Sequence, residues 1–310
     1  MDFSGLSAFP ITPMNEEGVD QAAFEKILQR LVDAGVNSIG VEGSTGNYPY
    51  LTEKERIQYA ALAVKASRQI PVIASIGAFR TRDILLLSEQ LQKSGVSALL
   101  LPLVSYHALN EDKVFFLYET VSKHVSVPVI VYDSPLISRF AFSDDLYQRI
   151  CQLPHIQSIK VPSAWPNEPE AYLRLQRLMK SLPSSIQIGV SGDPTAANAL
   201  KRGAKIWYSE WGGIFPQKAK ELLEAAFARD EEKIFHLSLQ FEPFWEMSRH
   251  YGGSIRPIAA AASILRLTDK NNLPLPLMPI SMKDQDKLKR AIVENNMNLF
   301  LLGGLFLSYR

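Results

Sequence analysis

Residues 156–161 read Ile156-Gln157-Ser158-Ile159-Lys160-Val161, an apolar stretch interrupted by one lysine. A short run of this kind predicts a buried strand. Seven similar stretches recur with helical patterns between them, at residues 6–9, 37–41, 71–76, 98–101, 128–132, 186–190 and 205–209. Alternating strands and helices predict parallel pairing. Eight such units without a Pro/Gly/Ser-rich linker favour an α/β fold of the closed (β/α)8 type, a TIM barrel, over an open doubly wound sheet.

The helical patterns extend beyond the last predicted strand. Apolar residues share one face in residues 24–32, and Thr52 with Glu55 forms a capping-box signature. Further helical patterns follow at 216–229, 231–250, 254–267 and 284–295. We therefore expect residues 1–215 to form the barrel with the active site, and residues 216–310 to form the last barrel helix and a helical C-terminal extension. The apolar run 297–307 is shorter than the roughly 20 residues of a spanning helix and is interpreted as a docked terminus or subunit contact.

Composition narrows the class of partner. The 310 residues are 46% hydrophobic, and 33 basic and 32 acidic residues are interspersed, so the charge pattern predicts no nucleic acid and no membrane surface as partner. A small molecule is the expected partner. The single cysteine excludes an internal disulfide and the N-terminus lacks signal-peptide features, which together predict a cytoplasmic protein. The five histidines show no ligand spacing, so no metal site is expected.

Lys160 is unusual because a charged amine is costly on a buried strand. Burial disfavours the ammonium and leaves more free amine to attack a ketone and form an imine. The alternative is that the aliphatic stem packs against the core while the charge reaches water. The residue itself leads to a hypothesis of Schiff-base catalysis.

Three polar features follow different strands and would meet at the C-terminal rim of the barrel, where enzymes of this fold place their sites. The turn Gly43-Ser44-Thr45-Gly46 offers backbone N–H groups and two hydroxyls to a carboxylate, or is an ordinary turn that caps the next helix. Tyr132 ends the fifth strand, where its phenol can relay a proton, or it is a buried aromatic with a satisfied hydroxyl. Lys160 is expected to close the sixth strand.

These motifs resemble, in order and spacing and nearly from end to end, the dihydrodipicolinate synthase and N-acetylneuraminate lyase family of class I, Schiff-base-forming aldolases. The matching stretches are Thr12-Pro13, Glu17-Gly18-Val19-Asp20, Ala34-Gly35-Val36, Gly43-Ser44-Thr45-Gly46, Leu51-Thr52-Glu53-Lys54-Glu55-Arg56, Ile70-Pro71-Val72-Ile73-Ala74, Val131-Tyr132-Asp133-Ser134-Pro135, Ser158-Ile159-Lys160, Ser191-Gly192-Asp193 and Leu275-Pro276-Leu277-Met278-Pro279-Ile280.

The resemblance implies an imine between Lys160 and pyruvate or a related 2-oxo acid, with no metal or organic cofactor, and a homotetramer built as a dimer of dimers. It implies that Tyr132 is the proton shuttle and that Ser44 relays protons to it. Thr45 would hold the substrate carboxylate together with the backbone at Gly43.

The chain also departs from the family pattern. Ile137 replaces the arginine that grips the second carboxylate in dihydrodipicolinate synthesis, and Arg139 lies two residues further on. Tyr106 matches the tyrosine that a neighbouring subunit contributes only if one residue is inserted. Asn47 replaces the usual glutamate, which suggests an unusual substrate.

Strand eight is the largest departure, since Ile206-Trp207-Tyr208-Ser209-Glu210-Trp211 replaces small residues. If Tyr208 or Trp211 points inward, the acceptor pocket is reshaped; the alternative is that these aromatics pack outward on helices. Glu210 is expected to bind a hydroxyl or amine, or to disfavour a second carboxylate.

The sequence therefore predicts a lyase or aldolase that acts on a 2-keto-3-deoxy sugar acid or a sialic-acid-like substrate by carbon–carbon bond cleavage or formation, or by dehydration. One alternative is 4-hydroxy-tetrahydrodipicolinate synthesis from pyruvate and aspartate semialdehyde. A second is a non-catalytic 2-oxo acid binding protein with the same fold, in which Trp207 or Tyr208 fills the pocket.

Overall fold

Eight parallel strands form a closed barrel in the computed structural model, which describes residues 1–297. In chain order the strands are β1 (Gly5–Ala8), β2 (Met14–Asn15), β3 (Gly18–Val19), β4 (Ser38–Val41), β5 (Val72–Ser75), β6 (Ala98–Pro102), β7 (Val129–Tyr132), β8 (Ile156–Pro162), β9 (Gln187–Ser191) and β10 (Ile206–Ser209). β2 and β3 form a small antiparallel hairpin, which was not predicted from the sequence. The other eight strands pair with their neighbours in chain order, and β10 closes the ring on β1. The predicted barrel is confirmed.

Helices follow the strands and cover the outside of the barrel. They are α1 (Gln21–Ala34), α2 (Glu53–Ala66), α3 (Thr81–Lys93), α4 (Glu111–Ser122), α5 (Pro135–Ser138), α6 (Asp144–Ile150), α7 (Glu168–Ser181), α8 (Asp193–Lys201), α9 (Pro216–Ala228), α10 (Glu231–His250), α11 (Ile255–Ile264) and α12 (Met282–Glu294), with 3-10 turns at Tyr48–Tyr50 and Trp211–Gly213. The capping box is present, since Thr52 accepts from the Glu55 amide and Glu55 accepts from the Thr52 amide. Within residues 1–297, no helix is both long and apolar enough to cross a membrane.

The extension after the barrel is helical as expected. α9 packs on α1, α8 and β1 as the last barrel helix, and α10 packs on α8, α9, α11 and α12. One hydrophobic core continues from the barrel helices into these helices. Apart from Met297, the apolar run 297–307 lies outside the described residues.

Side chains alternate between the inside and the outside of the barrel, as the pleat of a strand requires. A separate inner cluster contains apolar and aromatic residues from β5, β6, β7 and β10 and from the two segments that flank β1; its members are Phe3, Phe9, Ile73, Ala98, Leu100, Ile130, Tyr132, Ile206 and Tyr208. The inner cluster forms the floor on which Lys160 lies.

Candidate active site

Lys160 and Tyr132 are neighbours in the barrel wall. They are register partners in the β7–β8 pair, and Pro102 of β6 pairs with Tyr132 on its other side. β8 continues to Pro162, so the expectation that Lys160 closes its strand was wrong by two residues. The longer strand holds the lysine backbone on both sides, because Lys160 also pairs with Gly189 of β9.

The ammonium of Lys160 is surrounded by aromatic rings. The side chain is 5% exposed, and Nζ lies 4.1 Å from the ring centroid of Tyr132, 4.4 Å from that of Phe9 and 5.6 Å from that of Tyr208. Among residues 1–297, Nζ makes no hydrogen bond or ion pair, so the stem does not carry the charge to a polar partner. Ring faces attract a cation but do not accept its protons as a carboxylate does. The amine is therefore held in place without being tied to an acceptor.

Glycines make room for two of these rings. A side chain at Gly40 or Gly43 would place its Cβ 2.2 Å or 2.6 Å from the Phe9 ring, and one at Gly189 would come within 2.4 Å of the Tyr208 ring. These distances are far below van der Waals contact, so larger residues there would displace the rings from Lys160. The Gly43 position thus has a packing function besides its predicted place in the anion cradle.

The turn Gly43-Ser44-Thr45-Gly46 lies at the C-terminal end of β4, next to Phe9 of the inner cluster. Ser44 is half-buried, Thr45 is buried, and Gly46 packs against the backbone of Glu42, where a Cβ would come within 2.8 Å of the Glu42 nitrogen. Asn47 follows in the left-handed conformation with φ 62°, which asparagine tolerates, and its Nδ2 donates to the Thr12 carbonyl oxygen at 2.9 Å. Asn47 is fully buried and this bond shapes the loop; its predicted connection with an unusual substrate stays a prediction.

A buried ion pair supports this turn from behind. Arg56 of α2 donates to Glu42 Oε2 at 3.0 Å, to the Ser75 carbonyl at 2.7 Å and to the Gly77 carbonyl at 2.8 Å. Burial raises the pKa of Glu42 to about 7, although the charge of Arg56 opposes the shift. Arg56 thus links the rim segments that follow β4 and β5.

The segment after Tyr132 is fixed by a second buried carboxylate. The Asp133 amide donates to the Lys160 carbonyl at 3.0 Å, and its carboxylate accepts from the Tyr147 hydroxyl at 2.8 Å and pairs with Arg174 at 3.3 Å. Burial raises the pKa of Asp133 to about 6. These contacts hold the end of β7, and with it the Tyr132 side chain, against β8.

The aromatics of β10 divide between the two faces of the barrel. Tyr208 points inward and is fully buried, with its hydroxyl 2.8 Å from Ser158 Oγ, which lies two residues before Lys160. Trp207 faces the helices, and its Nε1 donates to Asp193 at 2.9 Å; Trp211 stacks on Phe215. The Tyr208 hydroxyl bonds to Ser158, which precedes Lys160 along β8, so it lies beneath the lysine; the predicted contact of Tyr208 with the substrate stays a prediction.

Two carboxylates lie together at the rim beside β9 and β10. Asp193 accepts hydrogen bonds from Ser209 Oγ at 3.0 Å and from the Trp211 amide at 2.9 Å. Burial raises the pKa of Asp193, and the negative charge of Glu210 raises it further. Glu210 is half-buried at the start of the 3-10 turn. The predicted polar group thus lies at the rim with a second acid next to it.

The remaining predicted positions lie on the surface of this chain. Tyr106 is 88% exposed and its ring contacts His107, away from Lys160 within this subunit. Ile137 is 62% exposed on α5, and Arg139 is exposed after it. Among residues 1–297, no three His, Cys, Asp or Glu side chains are grouped as a metal site would need.

With this geometry described, similarity to known proteins decides the family. A model of the dihydrodipicolinate synthetase family matches residues 2–295. The chain belongs to this family. Its members are class I, Schiff-base-forming enzymes, and membership makes this chain an enzyme of the lyase or aldolase type.

Individual members of this family share a quarter to about a third of their residues with this chain. The 4-hydroxy-tetrahydrodipicolinate synthase of Kosmotoga olearia is 26% identical over 291 residues, 94% of this chain and 97% of the relative. The crystal structure of dihydrodipicolinate synthase from Agrobacterium tumefaciens has a TM-score of 0.90 at 37% identity, covering 94% of this chain and 98% of the other. That of the Aquifex aeolicus enzyme has a TM-score of 0.86 at 25% identity, covering 95% and 99%.

Sequence reasoning missed three residues that shape this rim of the barrel. Phe9 follows the first strand, and its rim position could have identified it. Tyr48 lies two residues after Gly46, close to the Arg56 guanidinium. Glu42 gave no local signal, because its partner Arg56 comes from the next helix.

Proposed function

We propose that this protein is a class I lyase or aldolase that binds pyruvate or a related 2-oxo acid as an imine on Lys160. One observation carries the proposal: a nearly buried amine, without an acceptor among residues 1–297, lies against the ring of its register partner Tyr132 at the functional end of a barrel. A nucleophilic lysine needs such desolvated surroundings, and imine formation needs a proton donor beside it.

The other site residues have roles that their positions allow. Tyr132 gives a proton to the departing hydroxyl, and Ser44 exchanges protons with Tyr132. Thr45 and the backbone at Gly43 hold the carboxylate of the 2-oxo acid, since converging N–H groups and hydroxyls stabilise an anion. No cofactor takes part in this scheme.

The acceptor part of the substrate is a polyhydroxylated chain, as in a 2-keto-3-deoxy sugar acid or a sialic-acid-like compound. Glu210 places a half-buried carboxylate at the rim, which suits a hydroxyl group and repels a second carboxylate. Ile137 offers no charge where a second carboxylate would need one. The reaction is carbon–carbon bond cleavage or formation, or dehydration, of such a sugar acid.

The names of the relatives favour one other activity, 4-hydroxy-tetrahydrodipicolinate synthesis from pyruvate and aspartate semialdehyde. A parallel assay with aspartate semialdehyde and with 2-keto-3-deoxy sugar acids separates the two: turnover of the aldehyde alone would replace our substrate assignment. A non-catalytic 2-oxo acid binding protein would form the adduct and turn over neither substrate.

The imine itself is tested by borohydride reduction in the presence of pyruvate, followed by intact mass and peptide mapping. We expect one reduced adduct on Lys160 in the wild-type chain and none in Lys160→Ala. Lys205→Ala is the control, because Lys205 is exposed at the opposite end of β10 and should leave the adduct unchanged. A folded wild-type chain without an adduct from neutral to mildly alkaline pH would contradict pyruvate as the substrate.

We also propose that the enzyme is a homotetramer. The segments after β5, β6 and β7 expose large apolar side chains, namely Phe79 at 73%, Tyr106 at 88% and, on α5, Leu136 at 80%. Such neighbouring apolar groups suit a subunit contact, in which Tyr106 approaches the site of the next chain. Light scattering after size exclusion measures the mass, and a monomer with full activity would contradict a role for Tyr106.

A further inference from the structure

Tyr48 is a second phenol at the rim, and its ring is held from two sides. The Arg56 guanidinium carbon lies 5.4 Å from the Tyr48 ring centroid. On another side lies Gly77, where a Cβ would come within 3.1 Å of Tyr48 Cε2. Since Arg56 is itself fixed by Glu42 and two carbonyl groups, the ring rests on a rigid support.

The backbone before Tyr48 is equally constrained. The buried Asn47 side chain is bonded to Thr12, the Tyr50 amide donates to the Asn47 carbonyl at 2.9 Å, and the 3-10 turn begins directly at Tyr48. The turn that carries Ser44 and Thr45 therefore also sets the direction of Tyr48. Tyr48 is half-buried, which leaves part of the residue in contact with water.

This support places Tyr48 near the C-terminal end of β6, which pairs with the end of β7. Gly77 also packs against Pro102, because a Cβ at Gly77 would come within 2.5 Å of Pro102 Cγ. Pro102 is in turn the register partner of Tyr132. Burial, and then the charge of an ionised Tyr132, raise the pKa of Tyr48, while Arg56 lowers it. Tyr48 is therefore a protonated phenol at neutral pH, within electrostatic reach of Tyr132.

We infer that Tyr48 is a proton-relay residue that returns a proton to Tyr132 from within the same chain, next to the route through Ser44. The inference rests on the proposed function. In the step concerned, the Lys160 nitrogen has added to the keto carbon, and the carbinolamine must lose its hydroxyl. Tyr132 protonates that hydroxyl, the C–O bond breaks, water leaves, and the nitrogen lone pair forms the C=N bond of the cationic imine.

Tyr132 is then a phenolate and takes the proton of the Tyr48 hydroxyl, and Tyr48 takes one from water at the rim. All atoms and charges balance without a further reactant, because the negative charge moves from Tyr132 to Tyr48 and then to solvent. Tyr48 acts through Tyr132 and does not touch the reacting carbon.

The test is the time course of imine formation with pyruvate, quenched by borohydride and measured by intact mass. The variants are Tyr48→Phe and Tyr50→Phe; the latter is a matched control, since Tyr50 lies on the same turn and is 39% exposed. We expect Tyr48→Phe to slow imine formation roughly tenfold, less than the roughly 10²–10⁴-fold of a direct proton donor because the route through Ser44 remains, and Tyr50→Phe to change it less than about twofold.

The double variant Tyr48→Phe/Tyr132→Phe separates a relay from a structural effect. If Tyr48 acts through Tyr132, the double variant is no slower than Tyr132→Phe alone, whereas independent effects multiply. Phenylalanine keeps the ring against Arg56 and Gly77, so the melting temperature should be unchanged. Imidazole buffer should partly restore the rate of Tyr48→Phe.

Each result has one meaning. A wild-type adduct with equal rates in Tyr48→Phe and Tyr50→Phe, or multiplied effects in the double variant, would overturn the relay and leave the proposed function intact. A folded wild-type chain without an adduct would overturn the proposed function and the relay with it.

Discussion

Arg56 and Lys160 are both buried cations at the same rim of the barrel, but their surroundings differ. Arg56, 6% exposed, donates to a carboxylate and two carbonyls, which replace the water it loses. Lys160, 5% exposed, has no acceptor among residues 1–297 and faces three rings. A buried charge with full pairing holds segments together, whereas one without pairing costs stability and needs another reason to exist. In Lys160 we take that reason to be chemistry.

The sharpest test of this contrast is Lys160→Met. Methionine fills a similar volume without charge or nucleophile, so we expect a loss of activity of about 10⁴-fold or more. The free energy of unfolding should rise by about 1 kcal/mol, because a buried polar amine without an acceptor among residues 1–297 is replaced by an apolar side chain. Turnover assays and urea unfolding measure the two effects. A destabilised variant would show that the amine makes stabilising contacts and would break the comparison.

Arg56→Met should have the opposite consequence for stability. It leaves Glu42 and the Ser75 and Gly77 carbonyls without their donor, and we expect the free energy of unfolding to fall by about 3–5 kcal/mol. Lys54→Met, an exposed change on the same helix, is the control and should stay within about 0.5 kcal/mol of wild type. Urea unfolding at pH 8 measures both. Equal free energies of unfolding for the two variants would show that the contacts of Arg56 do not stabilise the fold.

The contrast also shows what sequence could and could not predict. Eight strands and the meeting of Tyr132 with Lys160 followed from apolar runs and barrel closure. The rings around the amine did not, because Phe9 and Tyr208 come from strands far apart in the sequence. Both Trp207 and Tyr208 are aromatic, so the hydrophobic pattern of β10 looks alike on its two faces. Gly40 and Gly189 were the available signal, since glycine inside a strand marks a close approach.

Glu42 sharpens the comparison through pH. Its folded pKa of about 7 lies above its ordinary value of 4.5, so between these values the folded chain binds a proton that the unfolded chain has released. The free energy of unfolding therefore falls as pH rises through this window. The glutamine of Glu42→Gln does not titrate. From pH 5 to pH 8 the free energy of unfolding of the wild type should therefore fall by on the order of 1 kcal/mol more than that of the variant. Parallel pH profiles in urea unfolding would contradict the shift.

The smallest expected effect separates the ring of Tyr208 from its hydroxyl. In Tyr208→Phe the ring beneath Lys160 remains, and only the bond to Ser158 is lost; Ser158 keeps its 2.7 Å bond to the Gln187 carbonyl. We expect the free energy of unfolding to fall by about 1 kcal/mol, as for one buried hydrogen bond. The Michaelis constant should not change, because the hydroxyl is bonded to Ser158 beneath the lysine. A raised Michaelis constant with unchanged stability would mean that the Tyr208 hydroxyl leaves Ser158 and contacts the bound substrate. Lys160 would then have a polar neighbour during the reaction.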